Sequence, residues 1–166
     1  MPLSFARVVL PDDSDRLVGF LCANQWPFHH TTRPQTADVA HMVFASSDVS
    51  SYWAVSDGRD VGLIRLLDLD DSVEGSPLFD VRIAEADRGR GVGGECVQWL
   101  TEHLFATYPS LHRVEANTRA DNVAMQRVLG RSAYQLEGRL RESWPSEEGL
   151  RYDTLIYGLL RTERSR

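Results

Sequence analysis

Arg88-Gly89-Arg90-Gly91-Val92-Gly93-Gly94 lies between a strand-like run, Leu78-Phe79-Asp80-Val81-Arg82-Ile83, and a helix-like one, Cys96-Val97-Gln98-Trp99-Leu100. Glycine reaches backbone dihedrals that other residues resist and carries no side chain to block a ligand. A loop of this composition turns several N–H groups toward one point, and the helix that follows adds its own unpaired N–H groups and the positive end of its dipole. The combination is a seat for phosphate. The question is which phosphate-bearing ligand it takes.

Upstream of this loop, Leu3 to Val9 reads as a strand closed by Pro11, and Asp12-Asp13-Ser14-Asp15 supplies capping residues for a helix carrying Leu17, Val18, Phe20 and Leu21. An irregular segment follows, Gln25-Trp26-Pro27-Phe28-His29-His30-Thr31-Thr32-Arg33-Pro34. A second helix is expected from near Thr36, with Val39, Met42, Val43 and Phe44 on its buried side. From Ser51 the period becomes strand-like: Tyr52 to Val55 and Val61 to Leu69 flank the turn signal Asp57-Gly58, which predicts an antiparallel hairpin. The acidic loop Asp68-Leu69-Asp70-Asp71 leads to the strand before the glycine loop.

Downstream, Val92, Cys96, Val97, Leu100 and Leu104 form one apolar helical stripe that ends by Pro109. Leu111 to Asn117 reads as a strand, and Asp121-Asn122 opens a helix with Ala124, Met125, Val128 and Leu129 on its apolar side. Two last strands, Tyr134 to Leu140 and Leu150 to Leu160, are joined through Trp144-Pro145-Ser146-Glu147-Glu148-Gly149. The predicted order is β-α-α-β-β-β-α-β-α-β-β, a mixed α/β (α+β) domain over residues 1–160 with a polar tail, 161–166, that is expected to fray.

Composition narrows the class. At 166 residues, with 42% hydrophobic and 25% charged side chains, the chain suits one soluble globular domain. Its net charge of −6 disfavours nucleic acid or an anionic membrane as partner. No apolar run approaches the ~20 residues that span a bilayer, and the first residues lack the apolar core of a signal peptide. The only cysteines, Cys22 and Cys96, have no metal-ligand spacing and read as buried thiols in a reducing compartment, so the expected location is the cytoplasm and no metal is expected. Cys96, one turn into a buried helix, reads as core rather than as a nucleophile.

Two rival phosphate motifs fail. A nucleotide-hydrolysing P-loop needs Lys and then Ser or Thr after its last glycine, and Gly94 is followed by Glu95. A dinucleotide fingerprint needs a parallel strand-helix-strand unit with an acidic residue about 20 positions on; Glu115 has that spacing, but the early antiparallel hairpin and the Arg88 and Arg90 flanks fit poorly.

Arg88, Gly91 and Gly93 match the signature of the GNAT superfamily of acyl-CoA-dependent N-acyltransferases: Gln or Arg, two residues, Gly, one residue, Gly or Ala. Asn122-Val123-Ala124-Met125-Gln126-Arg127-Val128-Leu129 and Tyr134-Gln135-Leu136-Glu137-Gly138-Arg139-Leu140-Arg141 resemble the branch with the RimJ and RimL type N-acetyltransferases. The resemblance implies a mostly antiparallel central sheet with helices on both faces, and a splayed strand pair that holds the pantetheine arm of acetyl-CoA. It implies further that backbone groups of Val81, Arg82 and Ile83 pair with that arm, and that N–H groups of Arg88, Gly89, Arg90, Gly91, Val92, Gly93 and Gly94 hold the pyrophosphate. Asn117 and Asn122 match positions that contact the arm or the region near the thioester. Physically, Arg88 and Arg90 also offer charge toward phosphates.

Direct N-acetylation needs a neutral amine, a polarised thioester carbonyl and a stabilised leaving thiolate. A backbone N–H of the splayed strand, that of Ile83 or a neighbour, is expected to polarise the carbonyl. The chain departs from the family where the acid and base are expected: Leu129 stands in place of a tyrosine, Met125 in place of a serine, and Asn117 in place of a glutamate. Candidate replacements are Asp80, which shares a strand face with Arg82, Glu115, which shares one with Asn117, and Tyr134; His29 and His30 offer imidazoles for proton relay. In the family the acceptor pocket lies between the first two helices and the connection of the last two strands. Carried over, it comprises Trp26, His29, Trp144 and Tyr152, with Phe28, Glu142 and Asp153 nearby.

The expected activity is acetyl transfer from acetyl-CoA to a primary amine of a small molecule or a protein N-terminus. The alternative from another class is a non-catalytic acyl-CoA sensor, motivated by Leu129 and Met125. A homodimer is compatible with either.

Overall fold

A computed structural model describes residues 3–70 and 75–164. Asp71 of the acidic loop and the last two residues of the tail lie outside the described residues. In chain order the elements are β1 (Ser4–Arg7), α1 (Ser14–Cys22), α2 (Thr36–Ala40), β2 (Ser50–Ser56), β3 (Arg59–Leu67), β4 (Leu78–Ile83), α3 (Val92–Thr107), β5 (Arg113–Arg119), α4 (Val123–Arg131), β6 (Gln135–Pro145) and β7 (Arg151–Leu160). This is the order that periodicity predicts. The β2–β3 hairpin closes where Asp57 (φ 51°) and Gly58 (φ 73°) both take left-handed backbone, as a two-residue turn between right-twisted strands requires.

The strands form two sheets, β1-β2-β3-β4 and β5-β7-β6, and every ladder is antiparallel. Between them, β4 and β5 meet where the Glu115 N–H donates to the Pro77 carbonyl at 3.1 Å. Among the described residues no ladder continues from that point, so the strands splay and leave a gap.

Strand alternation sends side chains to two cores. Ala54, Ile64, Leu66, Val81, Val114, Ala116, Leu155 and Leu159 pack against Cys96, Val97, Leu100 and Leu104 of α3 and Leu129 of α4. Trp53 and Leu63, one residue out of phase, pack instead against Leu17, Phe20 and Leu21 of α1 and against Trp26, Val39 and Phe44. The helices thus cover both faces, and the gap between the sheets is walled by packed elements.

Several local expectations are corrected. Cys22 is exposed, because α1 buries Leu17, Phe20 and Leu21 and Cys22 falls about 100° round the helix from Leu21. Helix α2 stops at Ala40, so Val43 is 50% exposed instead of sitting on a helical stripe. Ala124 is exposed too, leaving Leu129 as the buried residue of α4. Trp144 and Pro145 belong to β6 rather than to the turn: after an irregularity between Leu140 and Trp144 the pairing resumes as Trp144 with Tyr152 and Pro145 with Arg151. The first residues of the tail are anchored, since Arg161 donates to the carbonyls of Leu111 (2.6 Å), Phe105 (3.1 Å) and Tyr108 (2.6 Å). No helix among the described residues is long and apolar enough to cross a membrane.

Candidate active site

The glycine loop is held open by its own backbone. Gly89 (φ 75°) and Gly91 (φ 92°) adopt left-handed conformations, and the Gly91 carbonyl receives the N–H groups of Gly94 (2.9 Å) and Glu95 (3.2 Å) at the start of α3. The N–H groups of Gly89, Arg90, Gly91, Val92 and Gly93 meet no acceptor among the described residues. A Cβ built on Gly89, Gly91 or Gly94 would have no atom within 4 Å, and one on Gly93 would find only Ile83 Cγ1 and Val128 Cγ2 at 3.8 Å. Unpaired donors facing open space at a helix N-terminus suit a pyrophosphate.

Arg88 does not face that space. Its Nε donates to the Ile83 carbonyl at 3.0 Å, its Nη2 donates to the Gln25 carbonyl, and its guanidinium lies 5.5 Å from the Trp26 ring. The side chain therefore ties the loop to β4 and to the α1–α2 segment, which corrects its expected role as a phosphate charge. Arg90 is 69% exposed and 3.9 Å from Asp87, leaving it able to turn toward an anion. Asp87 is itself fixed by Arg59 through two 3.1 Å bonds.

Beside the loop, the gap between β4 and β5 is a cleft of about 420 Å³. Leu78 to Arg82 form one wall, Ala116 to Arg119 the other; Asn122 and Met125 of α4 close one side, and Phe28, His29, Arg65 and Trp144 the other. Asp80 is the hub of the polar cluster. His29 Nε2 lies 2.8 Å from Asp80 Oδ1, Arg82 Nε donates to Oδ2 at 3.0 Å, and Arg65 Nη1 is 3.7 Å from Oδ2. Burial alone pushes this carboxyl up, but His29 when protonated, Arg82, the hydrogen bond from His29 and Arg65 outweigh it and hold the pKa well below the usual carboxylate range. An ionised Asp80 only accepts, so in the neutral imidazole Nε2 carries the proton and Nδ1 keeps a lone pair. That Nδ1 is buried and has no partner.

The other expected site residues divide. Asn117, Asn122 and Trp144 line the cleft, with Asn122 also capping α4 through a bond from the Met125 N–H at 3.2 Å. Trp26 is 2% exposed, donates Nε1 to the Leu21 carbonyl, and supports His29, Arg82 and Arg88 from beneath instead of lining the acceptor space. Tyr152 lies under Arg119, 3.7 Å from its guanidinium, and is not a cleft wall. Glu115 is bound to Arg113 at 3.1 Å, outside the cleft. Tyr134 is 3% exposed and shares a 2.8 Å bond with Thr101; burial raises its pKa, so as acid or base it is corrected to a core residue. Tyr134→Phe is expected to leave turnover unchanged and to cost about 1 kcal/mol in urea unfolding, the net worth of that bond. Burial likewise pushes the Cys96 thiol up to about 12, consistent with a core role.

Sequence reasoning missed Arg65 and Arg119. Arg119 donates to Asp121 (2.9 and 2.6 Å) and to the Pro27 carbonyl (3.1 Å), bridging β5 to the α1–α2 segment. A strand predicted to end at Asn117 hid it. A second bridge joins the same segment to the β6–β7 turn: Thr32 donates its N–H (3.0 Å) and its hydroxyl (2.8 Å) to Glu147.

Comparisons with known proteins agree with this geometry. Mycobacterium smegmatis RimJ, solved with CoA-disulfide, shares 18% identity and superposes with a TM-score of 0.78 over 99% of this chain and 84% of that one. The aminoglycoside acetyltransferase AAC(6')-Ib, solved with ribostamycin and coenzyme A, shares 20% identity with a TM-score of 0.78 over 100% and 98%. A chimera of the spermidine N-acetyltransferase SpeG, from Vibrio cholerae and hSSAT, shares 14% with a TM-score of 0.82 over the whole of both chains. Among curated proteins, none matches the sequence significantly. The family description "Acetyltransferase (GNAT) domain" matches residues 7–135, more than three quarters of the chain, and the protein belongs to the GNAT acetyltransferase family.

Proposed function

We propose that this enzyme transfers the acetyl group of acetyl-CoA directly to a primary amine of a small molecule or a protein N-terminus, with His29 as the base and Asp80 as its positioning residue. The observation that carries the reading is the His29–Asp80 pair inside the cleft between the splayed strands, next to five unpaired loop N–H groups. Acetyl-CoA supplies the activated acetyl thioester when bound. N–H groups from Gly89 to Gly93 receive its pyrophosphate, and the free edge of β4 at Val81, Arg82 and Ile83 pairs with its extended arm. Of the neighbours, one is solved with the aminoglycoside ribostamycin and another is named a spermidine N-acetyltransferase, and the feature these two share is the amine.

Asp80 fixes the Nε2–H tautomer and leaves the lone pair on Nδ1; that atom is covered in the free protein, so His29 takes the amine's proton once the bound acceptor has shifted the ring into contact. Leu129 is fully buried and Met125 offers no proton, so α4 supplies no acid. The Arg65, Arg82 and Arg119 guanidiniums on the walls favour negative charge that develops between them. A titratable pair in the cleft also favours the enzyme over a mere sensor. One domain over residues 1–160, cytoplasmic and able to pair with a second copy through an exposed strand edge, completes the proposal; the two free thiols support the location.

Thiol release from acetyl-CoA over a panel of polyamines, amino acids, aminoglycosides and N-terminal peptides tests the activity. Release dependent on one amine class is expected, and silence from all of them alongside tight cofactor binding defeats it. The loop has its own check. Gly93→Leu is expected to weaken acetyl-CoA binding by ~10-fold or more, since each bond to a charged acceptor is worth roughly 1.5–3 kcal/mol, while the melting temperature stays close to wild type because the added Cβ makes only ordinary van der Waals contact, with Ile83 and Val128 at 3.8 Å. Unchanged affinity would remove the loop from the site.

A further inference from the structure

We propose that Arg82 receives a carboxylate of the acceptor, so that the preferred substrate is a primary amine carrying a nearby carboxylate rather than a polycation. This rests on the N-acetyltransferase reading above and specifies its acceptor. The Arg82 side chain is 8% exposed, its Nε is bound to Asp80 at 3.0 Å, and its guanidinium lies 5.4 Å from the Trp26 ring. Its orientation is therefore set on one edge and one face. Nη1 and Nη2 meet no acceptor among the described residues, and the residue lines the cleft. Neither terminal nitrogen is sealed from water, and a carboxylate in the cleft that accepts from both replaces that water with a charge-assisted, bidentate pair.

The neighbouring arginines are not in the same condition. Arg65 donates Nε and Nη2 to the Val43 carbonyl (3.1 and 2.7 Å), and Arg119 is satisfied by Asp121 and Pro27. The titratable side chains facing the cleft are His29, Arg65, Asp80, Arg82 and Arg119, so one carboxylate stands among three guanidiniums. Although the whole chain carries −6, this wall is positive. It repels an acceptor that brings several ammonium groups and favours one that brings its own anion. With the carboxylate on Arg82, the amine is delivered beside His29, because both side chains are fixed to Asp80.

The test compares L-amino acids with their carboxamides, and with spermidine, in the thiol-release assay on the full chain. An α-amino amide has the less basic amine, so intrinsic reactivity favours the amide. We expect kcat/KM to be at least ~10-fold higher for the acids, and Arg82→Gln to bring the acid-to-amide ratio toward one, whatever it does to both substrates together. Amides equal to acids, spermidine as the best acceptor, or an Arg82→Gln loss that is the same for acid and amide would each overturn the proposal. Should Arg82→Gln fail to fold, the acid-to-amide ratio of the wild type decides. Calorimetry of N-acetyl amino acids against N-acetyl amino amides, titrated into the CoA-loaded protein, separates the two levels of argument. Silence in turnover with acid-selective product binding would sink the transferase reading and uphold the anion site; product binding without acid selectivity would sink the site.

Discussion

His29→Ala is expected to lower kcat by roughly 10²–10⁴, the span that a positioned general base supplies, and to leave acetyl-CoA affinity unaltered. The imidazole is fixed at two places, Nε2 on Asp80 at 2.8 Å and the ring edge-on to Trp26 with centroids 6.2 Å apart, and its Nδ1 is buried with no partner. Nothing in that list touches the glycine loop, so cofactor binding has no reason to change. Single-turnover thiol release and cofactor titration on the same preparation separate the two quantities. A variant with wild-type kcat would mean that the amine loses its proton to solvent, and the base assignment would be withdrawn.

Asp80→Ala is expected to cost about 3–5 kcal/mol of stability, because it leaves two buried guanidiniums and an imidazole without their shared counter-ion. Urea unfolding at neutral pH measures it. The pH dependence follows from linkage. The folded carboxyl stays ionised far below the ordinary value of 3.8, whereas the unfolded one takes up a proton there. Unfolding therefore binds a proton in acid, so the stabilisation is fully present above that ordinary value and is lost progressively as pH falls below it. The wild type should lose stability steeply on acidification in that window, and Asp80→Ala should show a shallower slope. Equal slopes would show that the cluster is not what holds Asp80 ionised.

Much of the fold was legible because it is written in local signals. Asp57-Gly58 demands a hairpin, the stripe from Cys96 to Leu104 demands a buried helix face, and the glycines between Ile83 and Glu95 demand a turn that leaves donors unpaired. Asp80 and Arg82 were legible as a pair on one strand face, and they are bonded. What Asp80 does was not, since its role depends on His29, 51 positions away, and on Arg65 from the neighbouring strand. The identity of a residue does not state its partners. Arg88 shows the same limit from the other side: it fits the loop signature, yet its guanidinium turns back to Gln25 and Trp26, a contact set by where the α1–α2 segment crosses. Tyr134 and Glu115 were plausible by type, and burial and Arg113 respectively removed them.

Among the described residues, seven strands divided as four and three and joined by a single main-chain bond from Glu115 to Pro77 amount to an unfinished surface. In the proposed reading, an elongated ligand that pairs with the facing edges adds an eighth strand across two sheets that already share one core on α3. The Arg119–Pro27 and Thr32–Glu147 links span the wide end of that opening like a drawstring. The edge left open between the sheets is therefore completed by what the protein binds, while the shared core beneath it holds the two sheets in place.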